Sequence, residues 1–131
     1  MKKALKKITT SILATATMAV SAVSMNASAY GGCQTFYVNG APVIACIDIT
    51  KSVGYASTEC NSSNCSYVSV ELTCFHSSSG YKNDWAYAGN GKVEVYLYPD
   101  SGKQFSRGES EHAATVDSHY GSIRKSASAG I

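Results

Sequence analysis

Cys33 and Cys46 stand at equal distances on either side of Asn39-Gly40 in the stretch CQTFYVNGAPVIAC, and that symmetry constrains the fold more than any other feature of the chain. Asn-Gly between two alternating, β-rich runs marks a two-residue hairpin. A type I′ turn needs positive φ at both central residues, and Asn and Gly supply it with least strain. With Asn39 and Gly40 at the centre, Val38 faces Ala41, Phe36 faces Val43 and Cys33 faces Cys46. Counting outward from the turn, hydrogen-bonded and non-hydrogen-bonded pairs alternate. Pro42, opposite Tyr37, and the cysteine pair both fall on non-hydrogen-bonded positions. Proline therefore forfeits no ladder bond, and the two Cβ atoms lie close enough for a disulfide. Three features agree on one register and predict a Cys33–Cys46 clasp worth about 3 kcal/mol in the loop-entropy model. A zinc site would need a second ligand pair at Cys-x-x-Cys spacing, which the sequence lacks, so no metal ligand is assigned.

The 131-residue chain begins MKKALKK and runs through an apolar, Thr-rich segment, Ile8 to Val23, to Asn26-Ala27-Ser28-Ala29. A charged start, a short apolar middle and a small-x-small end read together as a secretory signal peptide over residues 1–29. Length and flanks argue against a membrane span, and none is expected after cleavage. The remaining residues, 30–131, are one domain by length, secreted into a compartment where disulfides persist. The lysine-rich signal points to a bacterium. Its removal takes four of the 11 basic residues and none of the 9 acidic ones, so a formal charge of +2 becomes −2. With no basic patch left to hold phosphates, nucleic acid is not an expected partner. All 9 tyrosines remain, in a setting rich in Ser, Gly and Val, which favours strands and turns over helices.

The segment Cys60-Asn-Ser-Ser-Asn-Cys65 suggests a second, smaller clasp worth about 2 kcal/mol. From Cys65 to Cys74 the sequence alternates cleanly. Val68, Val70, Leu72 and Cys74 point one way; Tyr67, Ser69, Glu71 and Thr73 point the other, with Cys65 on the polar side. Cys74 therefore reads as a buried, inert free thiol, a bridge from Cys74 to Cys60 or Cys65 being the competing pairing. Val43–Thr50 and Tyr55–Cys60 read as strands joined at Lys51–Gly54, and HSSSGYKND as a loop. A second Asn-Gly, Asn90-Gly91, predicts a hairpin with Ala86 facing Val95 and Ala88 facing Val93 on one side. Its other side carries Trp85 facing Tyr96, Tyr87 facing Glu94, and Tyr98. Phe105 to Asp117 follows as a further extended stretch, and Tyr120-Gly121 closes a last hairpin that sets Asp117 opposite Arg124 and Ala114 opposite Ala127. About eight short strands at such turn spacings make an all-β, antiparallel sandwich.

The aromatic side of the second hairpin is the leading candidate site. Trp85, Tyr87, Tyr96 and Tyr98 would form a flat strip beside Glu94, suited to stack on sugar rings while polar neighbours bind hydroxyls. Cross-strand aromatic pairs also serve simply to stabilise sheets. The histidines are His76, His112 and His119, and neither a G-x-S-x-G nor an H-E-x-x-H motif accompanies them. Glu109 and Glu111 share one strand face and His112 takes the other. No catalytic residue is assigned and no cofactor motif is present.

The tail carries EHAATV followed shortly by RKSASAG. Over His112 to Gly130 it resembles the ending of the lactococcin-972-like family of small exported β-sandwich bacteriocins, in which a His-small-Ala-Thr-Val strand precedes a strand of Ala-Lys-Ala-Thr type. His112, Thr115 and Val116 match as strand positions, while the family's Trp in the last strand is replaced around Ile123-Arg124. The resemblance implies action on a target cell's envelope and wall synthesis, without catalysis. The sequence as a whole predicts a secreted, non-catalytic protein that binds a cell-wall polysaccharide or another surface ligand through its aromatic sheet face. A bacteriocin is the alternative and a small hydrolase the third possibility.

Overall fold

Apolar and polar residues alternate through nearly all of the chain beyond residue 30. The computed structural model, which describes residues 31–129, turns these runs into strands. The predicted signal peptide, 1–29, lies outside the described residues. In chain order the strands are β1 (Gly31–Val38), β2 (Ala41–Ile49), β3 (Gly54–Cys60), β4 (Cys65–His76), β5 (Tyr81–Ala88), β6 (Gly91–Leu97), β7 (Phe105–Val116) and β8 (His119–Ser128). They form two four-stranded antiparallel sheets, β1-β2-β3-β6 and β5-β4-β7-β8, packed face to face. The all-β sandwich expected from the sequence is the fold. No helix among the described residues is long and apolar enough to cross a membrane.

The first hairpin has the register derived from Asn39-Gly40, pair for pair. Both turn residues have positive φ, 48° and 84°, and Cys33 and Cys46 are bridged on the outer face of β1 and β2. Inward, Val43, Ile47 and Ile49 of β2 meet Val68, Val70 and Leu72 of β4, with Phe105 and Val116 of β7. Three glycines let the sheets approach. A Cβ at Gly54 would overlap Cys74 Sγ, one at Gly108 would stand 2.5 Å from Ile49 Cδ1, and one at Gly121 would stand 2.8 Å from Val38 Cγ2. In each case a bulky side chain of one sheet fills the space left by a missing side chain of the other, which is how the core reaches close packing.

The second Asn-Gly pair does not make a hairpin. Gly91 has φ 88°, but Asn90 is not in the left-handed region, so the type I′ geometry is absent. The chain instead crosses from one sheet to the other between β5 and β6. β5 pairs with β4, through the short Ser77–Gly80 connection in which Gly80 has φ 90°, and β6 pairs with β3. Tyr96 therefore faces Tyr55, and Trp85 faces Glu71. Apolar alternation is the same in either topology: Ala86, Val93 and Val95 point into the core in both.

The last hairpin also turns elsewhere than expected. Asp117 and Ser118, with φ 52° and 69°, form the two-residue turn, so Ala114 faces Gly121 and Arg124 faces Glu111. Asp and Ser tolerate this conformation through short polar side chains. Here the Asp117 carboxylate also accepts from Asn39 Nδ2 and Asn64 Nδ2, each at 3.3 Å, lacing three loops together at one end of the sandwich.

Cys65 is a further difference. An extra residue between Cys65 and Tyr67 shifts the β4–β7 register, and this bulge turns Cys65 from the expected polar face into the core, where it is 7 % exposed. Cys60, Cys65 and Cys74 are all buried as thiols, and Cys33–Cys46 is the disulfide formed among the described residues.

Candidate functional site

Where one face of a strand packs inward, the other is free for chemistry, and the outer face of the β5-β4-β7-β8 sheet is the richer of the two. Outward positions of β4 are Tyr67, Ser69, Glu71, Thr73 and Phe75, beside Tyr87, Trp85, Asn83 and Tyr81 of β5. The Trp85 and Tyr87 rings lie nearly parallel, 6.3 Å between centroids at 17°, and Tyr67 continues the strip 5.9 Å from Tyr87. At the far end Phe75 and Tyr81 lie 6.1 Å apart, and the Arg107 guanidinium sits 3.9 Å over the Phe75 ring. From Tyr67 to Phe75 the track is roughly 27 Å long by strand rise.

Polar groups fill the middle. The row Trp85, Glu71, Glu111, Arg124 crosses all four strands. Glu71 accepts from Asn83 Nδ2 at 3.1 Å, and the same amide donates to Thr73 Oγ1 at 2.8 Å. Burial raises the Glu111 carboxyl above the usual carboxylate range; Arg124, 3.5 Å away, pulls it back and the charge of Glu71 adds to the rise. Two carboxylates directly opposite each other weaken a sheet, and their presence suits a face selected for its ligand more than for stability. A shallow hollow of about 500 Å³ opens here, lined by Glu71, Thr73, Glu109, Glu111, Arg124 and Ser126 among others.

No protein family model matches the chain, and no curated protein or solved structure matches it either.

The five residues expected to form one strip are divided between opposite sides of the sandwich. Trp85 and Tyr87 lie on the face just described. Tyr96 and Glu94 lie on the outer face of β1-β2-β3-β6, with the hydrophobic core between, and Tyr98 is exposed just past the end of β6. There Tyr96 packs 4.9 Å from Tyr55, whose hydroxyl donates to Glu94 Oε2 at 2.9 Å, and Lys92 stands 3.6 Å from the same oxygen. Glu94 is thus occupied by its neighbours. Tyr67, Glu71, Asn83 and Glu111, which complete the face around Trp85, were not singled out from sequence. The polar side of the alternating run from Tyr67 to Thr73 was the available signal, and it needed the correct strand partner to become a site.

The three histidines do not converge. His119 is exposed and contacts the Asp117 carbonyl at 2.9 Å. His76 accepts from the Asp100 N–H at 3.2 Å and stacks on Phe105. His112 lies fully buried between Thr58 Oγ1 at 2.9 Å and Ser110 Oγ at 2.7 Å. That Ser–His contact has nucleophile-and-base spacing, but Ser110 is only 4 % exposed. Burial, with Lys125 nearby, pushes the imidazole down to about 3, far from the value that suits a base at neutral pH. The trio links the two sheets as a core network. Among the described residues no cluster of His, Cys, Asp and Glu could hold a metal ion.

Proposed function

We propose that this protein is a secreted, non-catalytic binding module that holds a polysaccharide of the bacterial cell wall across the outer face of β5-β4-β7-β8. The observation that carries the proposal is the continuous strip of Tyr67, Tyr87 and Trp85 running beside Glu71, Asn83 and Thr73. Flat, half-buried rings stack on the apolar faces of sugars, and fixed carboxylate and amide groups bind the hydroxyls that radiate from their edges. Anchors already held by neighbours lose little rotamer freedom on binding.

Co-sedimentation of the purified protein with isolated cell walls tests this. Wild type is expected to pellet, and Trp85→Ala to lose at least tenfold in apparent affinity, equivalent to about 1.4 kcal/mol, while keeping its fold. Tyr96→Ala, on the opposite face, is expected to pellet like wild type. Equal pelleting of all three, or loss on Tyr96→Ala alone, would overturn the assignment of the face.

The likeness of His112 to Gly130 to the lactococcin-972-like ending, of which 112–116 belong to β7 and 119–128 to β8 of a sandwich, favours a second reading: a toxin acting on the envelope of competing bacteria. Plating the pelleted cells for survival separates the two, since a binding module leaves them viable.

A further inference from the structure

Three cysteines lie outside the Cys33–Cys46 clasp, and two of them meet. Cys60 ends β3 and Cys65 begins β4, in different sheets, with only Asn61–Asn64 between them. That connection is tight. The Cys65 N–H donates to the Ser62 carbonyl at 3.0 Å, and the Asn64 N–H to Ser62 Oγ at 3.2 Å. With Cys65 rotated inward by the bulge, both side chains enter the core from the two ends of this four-residue connection, the Cys65 thiol donating to the Tyr67 carbonyl at 3.5 Å with Cys60 as its neighbour. Cys74 is elsewhere. It lies nine residues further along β4, roughly 30 Å from Cys65 by strand rise, and packs against Gly54 at the opposite end of β3 from Cys60.

We propose that Cys60 and Cys65 close into a second disulfide that staples the two sheets at the β3–β4 crossover, leaving Cys74 as the one free thiol. Each thiol gives up its hydrogen and an S–S bond forms. The two protons and two electrons pass to a disulfide oxidant, which is released as a dithiol or a pair of thiols. The step belongs to the folding chain, while both sulfurs are still accessible. In the closed core, burial and the contact with Cys60 push the Cys65 thiol up to about 11, and little attacking thiolate remains. Once formed, the bridge is sealed from solvent, whereas Cys33 is exposed and its disulfide open to reductant.

The test starts from reduced, unfolded protein refolded with mixed oxidised and reduced glutathione, then alkylated in denaturant without reductant. The expected product carries one alkyl group per chain, on Cys74. The tryptic segment 52–82, which holds Cys60, Cys65 and Cys74, is then lighter by two hydrogens than its fully reduced form, apart from that group. Alkylation of all three cysteines, or a bridge that includes Cys74, would overturn the proposal. Mild reductant on the folded protein gives a second measure: Cys33–Cys46 is expected to open while Cys60–Cys65 persists until denaturant is added. Opening of both together would also count against it. Neither measurement depends on whether a polysaccharide binds.

Discussion

Gly54→Ala is expected to destabilise the protein by about 2 kcal/mol, and Cys74→Ala to recover most of that loss in the double variant, although on its own it costs about 1 kcal/mol. The reason is steric. A Cβ at Gly54 would overlap Cys74 Sγ, with Ile49 Cδ1 at 3.5 Å and Leu72 Cδ2 at 3.6 Å closing the other sides. Cys74 is fully buried near the C-terminal end of β4 and has no solvent-facing direction in which to retreat. Gly→Ala also restricts the unfolded chain, which stabilises by about 0.4–1 kcal/mol. That contribution is the same with or without Cys74 and cancels in the cycle. Urea unfolding of wild type, the two single variants and the double variant measures the coupling, expected at about 1 kcal/mol or more in the rescuing direction. Additive effects would mean that the sheets separate slightly to admit the methyl group and that the glycine is not the complement of the thiol.

The same contact explains what a sequence of this kind conceals. Cys33, Asn39, Gly40, Pro42 and Cys46 specify their hairpin locally, because turn geometry, proline and disulfide all depend on neighbours within a few residues. Alternation likewise placed Val68, Val70, Leu72 and Cys74 on the core side. It cannot say which strand lies alongside. Asn90-Gly91 has the composition of a type I′ turn, yet only Gly91 has positive φ. The chain spends that flexibility on crossing between sheets, which lets Val93 and Val95 close the core beside Ala56 and Thr58. Asp117-Ser118 shows the reverse, a type I′ turn built from residues with less conspicuous turn chemistry and held by Asn39 and Asn64 from two other loops. The candidate site inherited the error. Trp85 and Tyr87 were visible as aromatics on a strand, but their partners Glu71 and Tyr67 came into reach only through the β4–β5 pairing. Cys65 was misplaced by one bulge residue, since a single insertion inverts the face of everything before it.

His112→Leu is expected to destabilise the protein by about 3 kcal/mol at pH 7 and, separately, to flatten its acid sensitivity. In the folded chain one imidazole nitrogen donates and the other accepts, and both partners, Thr58 Oγ1 and Ser110 Oγ, are themselves buried. Leucine leaves two interior hydroxyls unpaired, at about 1–3 kcal/mol each when no relaxation occurs. Replacing all three groups, as Thr58→Val/Ser110→Ala/His112→Leu, removes the orphans and is expected to regain most of the loss. The acid sensitivity comes from the imidazole, held down at about 3 by burial and by the charge of Lys125. Unfolded, His112 takes up a proton near pH 6.5; folded, it does not until about pH 3. Between those values the unfolded state binds the extra proton, so stability falls as pH falls, by up to about 1.4 kcal/mol per pH unit from this residue. Glu111 works the other way over a narrower range. Its carboxyl is raised, so just above the usual carboxylate value the folded state binds more protons and gains stability on acidification. Its exposure and the pull of Arg124 keep that contribution smaller. Urea midpoints measured from pH 7 to pH 4 should therefore drop steeply for wild type and much less for either leucine variant. Parallel profiles for the three proteins would mean that His112 accepts its proton inside the fold, and that the Thr58–His112–Ser110 link between the sheets opens without unfolding.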